Sequence, residues 1–147
     1  MYSGSNAAEA HPVSMLHVLH AKETGCKVIV VDPRYTRTAA KSDQYVRIRS
    51  GTDIPYLFGM LYHIFKNGWE DKKYINDRVY GMDKVREEVK KWTPEEVQKV
   101  AGVAPEQLPR ITETFAKTRP STVGWVMGQT PHPIGHPTVR AHYIPQP

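Results

Sequence analysis

The run Val28-Ile29-Val30-Val31 is β-branched throughout and shows no polar alternation. A strand of that kind suits the interior of a parallel sheet, where helices cover both faces, better than a half-exposed antiparallel strand. The stretch it opens, Lys27 to Asp53, reads as strand, acidic turn, basic loop, second strand and polar helix start. In open α/β sheets ligands gather outside the carboxyl ends of the strands, and Asp32-Pro33-Arg34 falls at that edge. Asp32 can accept hydrogen bonds from ribose hydroxyls or from guanine N–H groups, Arg34 and Arg37 can neutralise phosphate, and Pro33 stiffens the turn that holds them. The same spacing also suits a plain surface turn.

A chain of 147 residues is long enough for one domain with a sizeable core. Its apolar segments are broken by Lys, His or Asp before they reach membrane-spanning length, so direct membrane insertion is not expected. The N-terminus lacks the basic-then-apolar pattern of a secretory signal, and a cytoplasmic location is expected. The net charge of +5 suits phosphate-bearing ligands. Basic residues are nevertheless interleaved with acids, as in VREEVKKW, which reads as a solvated surface and not as a nucleic-acid groove. Cys26 is the only cysteine; this excludes an internal disulfide and any site built from several cysteines of this chain. Its place beside the apolar strand suggests a structural role.

Gly4-Ser5-Asn6-Ala7-Ala8-Glu9-Ala10 looks like the loop that follows a strand and opens a helix, although no long strand precedes it, so the start reads as cut from a longer chain. Gly4 permits close backbone approach, Asn6 is the expected N-cap, and Glu9 completes a box-like pairing. A pyrophosphate can sit on such free N–H groups, as can nothing more than a cap; the three-glycine dinucleotide fingerprint is absent. Pro12 is expected to start the main helix, over Pro12 to Glu23, with Met15, Leu16 and Leu19 on its apolar face and Gly25 stopping it. Tyr45 to Arg49 reads as a short strand with Val46 and Ile48 inward. Ser50-Gly51-Thr52-Asp53 ends it and makes a second strand-to-helix corner. Thr52 or Asp53 is expected to cap a helix striped by Ile54, Leu57, Phe58, Leu61, Ile64 and Phe65 and closed by Gly68. The Gly51 N–H, Thr52 hydroxyl and Asp53 carboxylate can also read a guanine or ribose edge.

From Gly68 to Pro120 the pattern is helical, with Asp71 and Thr93-Pro94-Glu95-Glu96 as helix starts and Leu108, Ile111 and Phe115 on the last helix. Ser121 to Met127 is a further strand that delivers Gly128-Gln129-Thr130 to the same edge. With three candidate strands the sheet would keep exposed edges, so marginal stability or association is expected. The remainder, 131–147, is rich in proline and is expected to be irregular and disordered. Neither His17 with His20 nor His132 with His136 gains a third ligand or a credible helix, and Glu95 and Glu96 read as first-turn acids. The pattern therefore points to no catalytic residue and no metal ligand.

Taken jointly, GSNAAEAHP, VVDPRYTRTA, IRSGTD and WVMGQT, in that order from Gly4 to about Thr130, resemble the molybdopterin oxidoreductase (dimethyl sulfoxide reductase) family, and within it most closely the large, or alpha, subunits of formate dehydrogenases. The resemblance implies an internal fragment: a partial molybdopterin-guanine-dinucleotide-binding domain over 1–130, with a helical insertion at about 69–119. The fold class it implies is α/β, a partial doubly wound, Rossmann-like parallel sheet with flanking helices.

By resemblance, Gly4, Ser5, Asn6 and Glu9 lie in a phosphate-proximal loop. Asp32, Pro33, Arg34 and Thr36 contact guanosine, Gly51, Thr52 and Asp53 its base or ribose, and Met127, Gly128 and Gln129 the edge nearer the pterin. The implied cofactor is molybdopterin guanine dinucleotide with molybdenum or tungsten, serving two-electron oxidation of formate to carbon dioxide. An iron–sulfur cluster belongs only to a missing upstream region, and the isolated chain is expected to be inactive. Implied partners are formate, the remainder of the large subunit and electron-transfer subunits. The sequence departs from the family after Gln129, where Pro131, Pro133 and Pro137 interrupt a helix of small residues. A stand-alone, non-catalytic nucleotide-binding α/β module is the competing reading. A nicotinamide enzyme is disfavoured by the missing glycine fingerprint.

Overall fold

The computed structural model describes residues 1–145, and among these the chain forms four strands and eight α-helices. The strands are β1 (Tyr2–Ser3), β2 (Ile29–Val31), β3 (Gln44–Val46) and β4 (Gly124–Trp125). All pair in parallel, in the order β3-β2-β1-β4. The register sets Ser3 beside both Val31 and Trp125, and Val31 beside Val46.

The helices are α1 (Ala7–Ala10), α2 (Pro12–Glu23), α3 (Asp53–Asn67), α4 (Lys72–Arg78), α5 (Met82–Val89), α6 (Pro94–Ala101), α7 (Gln107–Lys117) and α8 (Gly135–Tyr143). Together with the sheet they form the α/β arrangement expected.

The apolar run at β2 is buried on both sides, as its lack of alternation requires. Ile29 and Val31 join the larger core with Leu57, Met60, Val97, Leu108 and Ile111. Val28 and Val30 face the other way, under α2, with Ala39, Val18 and Tyr45. Each such valine, fully removed from water, contributes about 1.5–3 kcal/mol. The larger core is organised by α3, which packs against α5, α6, α7 and α8. Gly59 lets α6 and α7 come close: a Cβ there would lie 2.6 Å from Val97 Cγ2 and 3.0 Å from Leu108 Cδ2. Gly68 stops α3 in the left-handed region, φ +64°, where glycine has no steric penalty.

Several expectations are corrected. The sheet has a strand that the sequence reading lacked, because β1 is only two residues long and gains its pairing from both neighbours. The strand expected over Ser121 to Met127 is confined to Gly124–Trp125, and that over Tyr45 to Arg49 to Gln44–Val46. Leu16, expected on the apolar face of α2, is exposed, whereas Met15 is buried as expected, and Val18, three residues on, packs against Val28 and Val30.

The region expected to be irregular contains α8, whose Ala141 and His142 are buried. Its prolines do not prevent this. Pro137 lies in the first turn of α8, where a missing N–H costs no intrahelical bond. Gly135 meanwhile permits the close turn that starts it, since a Cβ there would lie 2.2 Å from Thr130 O. The last residues of that tail, 146–147, fall outside those described.

Candidate functional site

Chain order fixes where a ligand can enter. From β1 the chain crosses to β2 and then β3 on one side, whereas β4 joins β1 on the other. The reversal therefore lies between β1 and β4, and in open α/β sheets the crevice beyond the carboxyl ends at such a reversal is where ligands bind. A cleft of about 430 Å³ occupies that place, within the range of roughly 300–1,000 Å³ usual for ligand sites. Its walls come from four separate corners of the sequence: Gly4 and Asn6 after β1, Asp32 to Arg34 after β2, Ser50, Gly51 and Asp53 before and within α3, and Val126 to Gly128 after β4, with His132 beyond.

The floor is backbone. The Gly4 N–H donates to Val31 O and the Gly128 N–H to Gly4 O, both at 3.0 Å. A Cβ on Gly128 would lie 2.4 Å from Gly4 O. Gly4 itself has φ +58°, so both positions require glycine for close approach or for backbone conformation. On the wall, Asp32 Oδ1 accepts from the Arg34 N–H at 2.8 Å, and the Tyr45 hydroxyl donates to Asp32 O at 2.9 Å. This holds the acidic turn while the Arg34 side chain stays exposed.

Asp53 is the buried acid of the site. Its Oδ1 accepts from Gln129 Nε2 at 2.7 Å. Burial raises its carboxyl above the ordinary range, against the lowering pull of that Gln129 bond. Gln129, 1% exposed, donates also to Ser3 Oγ at 2.7 Å. Its Oε1 lies 2.7 Å from His142 Nε2. Burial holds the His142 imidazole down at about 4, so the ring is neutral and donates from Nε2. Its Nδ1 has no partner among the described residues.

Of the residues singled out in the sequence, Gly4, Asn6, Asp32, Pro33, Arg34, Gly51, Asp53, Met127 and Gly128 line this one cleft. The others stand behind it or away from it. Ser5 is buried with its Oγ unpaired among the described residues. Thr36 is buried, its Oγ1 accepting from the Ala39 N–H at 3.1 Å. Gln129 lies beneath the floor. Thr52 occupies the N-cap position of α3 but turns its hydroxyl to Arg49 O, 2.7 Å away, so the expected side-chain cap is not made.

The pairing of Asn6 with Glu9 is also corrected. Glu9 reaches Arg37 at 3.3 Å on the surface, and Thr38 caps α1 instead. Its Oγ1 accepts from the Ala8 N–H at 2.9 Å and donates to Asn6 Oδ1 at 3.0 Å. Thr38 sits two residues beyond Thr36 in the TRTA run, and only the fold distinguishes them. Ser3 and His142 were not identified from sequence because no local pattern marks them, and His132, weighed there only as a metal pair with His136, lines the cleft instead.

A second cleft, of about 400 Å³, lies among α3, α4 and α7 and is walled by Phe65, Trp69, Tyr74, Val79 and Phe115. Its lining is largely aromatic and aliphatic, with Glu70, Asp71 and Arg119 among it, and it shares no residue with the first cleft. The chemistry favours the first. Cys26 precedes β2, at the opposite end of the sheet from that cleft, and is exposed. Among the described residues no helix is long and apolar enough to cross a membrane, and no three His, Cys, Asp or Glu cluster as metal ligands.

Residues 1–136 match the family described as molybdopterin oxidoreductase. The F420-dependent formate dehydrogenase subunit alpha of Methanocaldococcus jannaschii is 36% identical over 138 residues, which is 94% of this chain and 20% of that protein. Formate dehydrogenase H of Escherichia coli is 33% identical over 138 residues, 94% of this chain and 19% of that protein. Among solved structures, acetylene hydratase from Pelobacter acetylenicus superposes with a TM-score of 0.90 at 26% identity, over 98% of this chain and 20% of that one. The chain thus spans about a fifth of the length of the proteins it matches. Two of these are named as dehydrogenases and one as a hydratase, so the shared segment does not by itself select a reaction.

Proposed function

This chain belongs to the molybdopterin oxidoreductase family, and from that premise we propose that its sheet-edge cleft holds the guanine-nucleotide end of molybdopterin guanine dinucleotide. The observation that carries this reading is the convergence of two carboxylates, one arginine and three glycines from separate loops on one cleft. The donor set suits the group. Asp32 and Asp53 offer acceptors to the N–H edge of guanine and to ribose hydroxyls, and Arg34 offers forked donors to phosphate. Gly4 and Gly128 let the loops after β1 and β4 close on each other, where a Cβ on either would strike the facing loop, and Gly51 turns at φ +79°, so the three shape the backbone wall against which a pyrophosphate would lie. Asn6, Pro33 and Met127 complete the rim, Thr36, Thr52 and Gln129 hold the loops from behind through their side-chain hydrogen bonds, and Ser5 packs buried beneath the first loop.

Bound in the whole enzyme, the group with its molybdenum or tungsten would supply a two-electron acceptor for the oxidation of formate to carbon dioxide. This chain's part is to bind and orient the nucleotide end. The metal ligands and the electron-transfer partners belong to the remainder of a formate dehydrogenase large subunit and its companion subunits. The similarity over 94% of the chain to a formate dehydrogenase subunit alpha and to formate dehydrogenase H supports that assignment.

The test is calorimetric titration of the full 147-residue chain with guanosine diphosphate and, separately, cytidine diphosphate. Saturable binding that prefers the guanine nucleotide by about tenfold, roughly 1.4 kcal/mol, is the expected result. Equal affinity for both, or no binding, would overturn the reading.

A further inference from the structure

His142 is not among the residues that line the cleft, yet it bonds the same Gln129 amide that bonds the cleft's buried carboxylate. The Gln129 side chain is a single amide with two chemically different ends, buried among three partners. The Asp53 carboxylate can only accept, so the NH₂ end must face Asp53 and Ser3, and Oε1 must then face His142. An amide so buried keeps that orientation only while a donor stands opposite Oε1.

His142 Nε2 supplies that donor at 2.7 Å. The ring is held flat against Trp125, with centroids 5.6 Å apart and planes 2° from parallel. Ser3 belongs to β1, Asp53 to α3 and His142 to α8, so one amide joins these three elements, and the ring stacked on His142, Trp125, belongs to β4. Ser3 and Gln129 directly adjoin Gly4 and Gly128, whose backbones form that floor.

We propose that His142 is a positioning residue: by donating from Nε2 to Gln129 Oε1 it fixes the Gln129 amide, and through it the Asp53 carboxylate that faces the nucleotide. The role attributed to Asp53 rests on the nucleotide-binding reading, whereas the coupling from His142 to Asp53 does not.

Two variants of the full chain separate donation from packing. His142→Phe keeps a flat ring against Trp125 and removes the donor. His142→Gln returns an N–H close to the position of Nε2. The first readout needs no ligand and is the titration of the Asp53 carboxyl carbon by NMR. Gln129 lowers that pKa, and His132 and Asp32 also act on it. Neither of these is altered by the variants.

In H142F the Asp53 midpoint rises by about one unit or more and the Gln129 side-chain amide protons exchange faster with solvent. In H142Q both return towards the parent. The second readout is guanosine diphosphate affinity, expected to fall about tenfold in H142F and to recover to within about threefold in H142Q. An Asp53 midpoint unchanged in H142F, or shifted equally in both variants, overturns the proposal. A parent chain that binds no nucleotide but shows the Asp53 shift and its rescue upholds the coupling and refutes the nucleotide reading instead. If H142F fails to fold, H142Q decides alone: an Asp53 midpoint matching the parent supports the proposal, and one raised by a unit or more refutes it.

Discussion

Gln129 Nε2 lies 2.7 Å from Asp53 Oδ1, tying the loop after β4 to the first residue of α3 across 76 positions of sequence. The contact joins two corners of the cleft that the chain supplies independently. It also raises the cost of disturbing either one. Gln129→Leu would leave Ser3, Asp53 and His142 buried without their shared partner. Unsatisfied buried groups cost about 1–3 kcal/mol each and more for a charge. We expect a loss of about 3–5 kcal/mol in urea denaturation; a loss below about 1 kcal/mol would contradict the hub.

Gly128→Ala tests the floor. The added Cβ would lie 2.4 Å from Gly4 O and 2.8 Å from Gly4 Cα. Both are backbone atoms and cannot turn aside as a flexible side chain can, so β1 and β4 must separate. Overpacking of this kind costs about 1–3 kcal/mol, and nucleotide affinity should fall with it. Unchanged stability and affinity would show that the two loops yield freely.

Arg34→Ala tests the rim. The side chain is exposed, and the bond to Asp32 runs through its backbone N–H, which alanine keeps. Stability should therefore stay within about 0.5 kcal/mol. Guanosine diphosphate affinity should drop roughly tenfold, and less at high salt, because a charge-assisted contact to phosphate is lost and is screened by ions. Full retention of affinity would remove Arg34 from the phosphate subsite.

The pH dependence of folding follows from His142. Burial lowers its pKa to about 4, below the ordinary histidine value near 6.5. Between these values the unfolded chain binds more protons than the folded one. Stability is thus fully present above about 6.5 and is lost as pH falls towards 4, by up to about 3 kcal/mol from this group. His63, lowered by burial and by Lys66, acts in the same sense. Asp53, raised by burial, opposes it, because in its own window the folded form holds the extra proton. His142→Gln should flatten the slope of denaturation free energy between about pH 6.5 and 4.5; an unchanged slope would exclude His142 as its source.

Much of this arrangement was legible wherever a local pattern suffices. The apolar run at Val28 to Val31, the Thr93-Pro94 helix start and the Gly68 stop each depend on neighbours a few residues away, and each stands where the pattern places it. Asp71 likewise accepts from the Tyr74 N–H as expected. The misses share a cause. Strand β1 exists because Val31 and Trp125 flank Ser3, and α8 forms despite its prolines because Ala141 and His142 bury themselves against the core. Neither fact is written within a few residues of the element. At the cleft, glycines such as Gly4 and Gly128, which the close approach of the two loops demands, were readable. The supporting contacts of Thr38, Ser3 and His142 were not, since each depends on a partner 30 residues away, 126 residues away or 13 residues away across a turn.

The most direct measurement is a two-dimensional NMR map of backbone amide shifts as guanosine diphosphate is added to the full chain. The account predicts saturable shifts clustered at Gly4, Asp32, Arg34, Gly51, Asp53 and Gly128, with the apolar cleft around Phe65 and Trp69 unmoved. Shifts centred on that second cleft, or scattered over the surface without saturation, would contradict it.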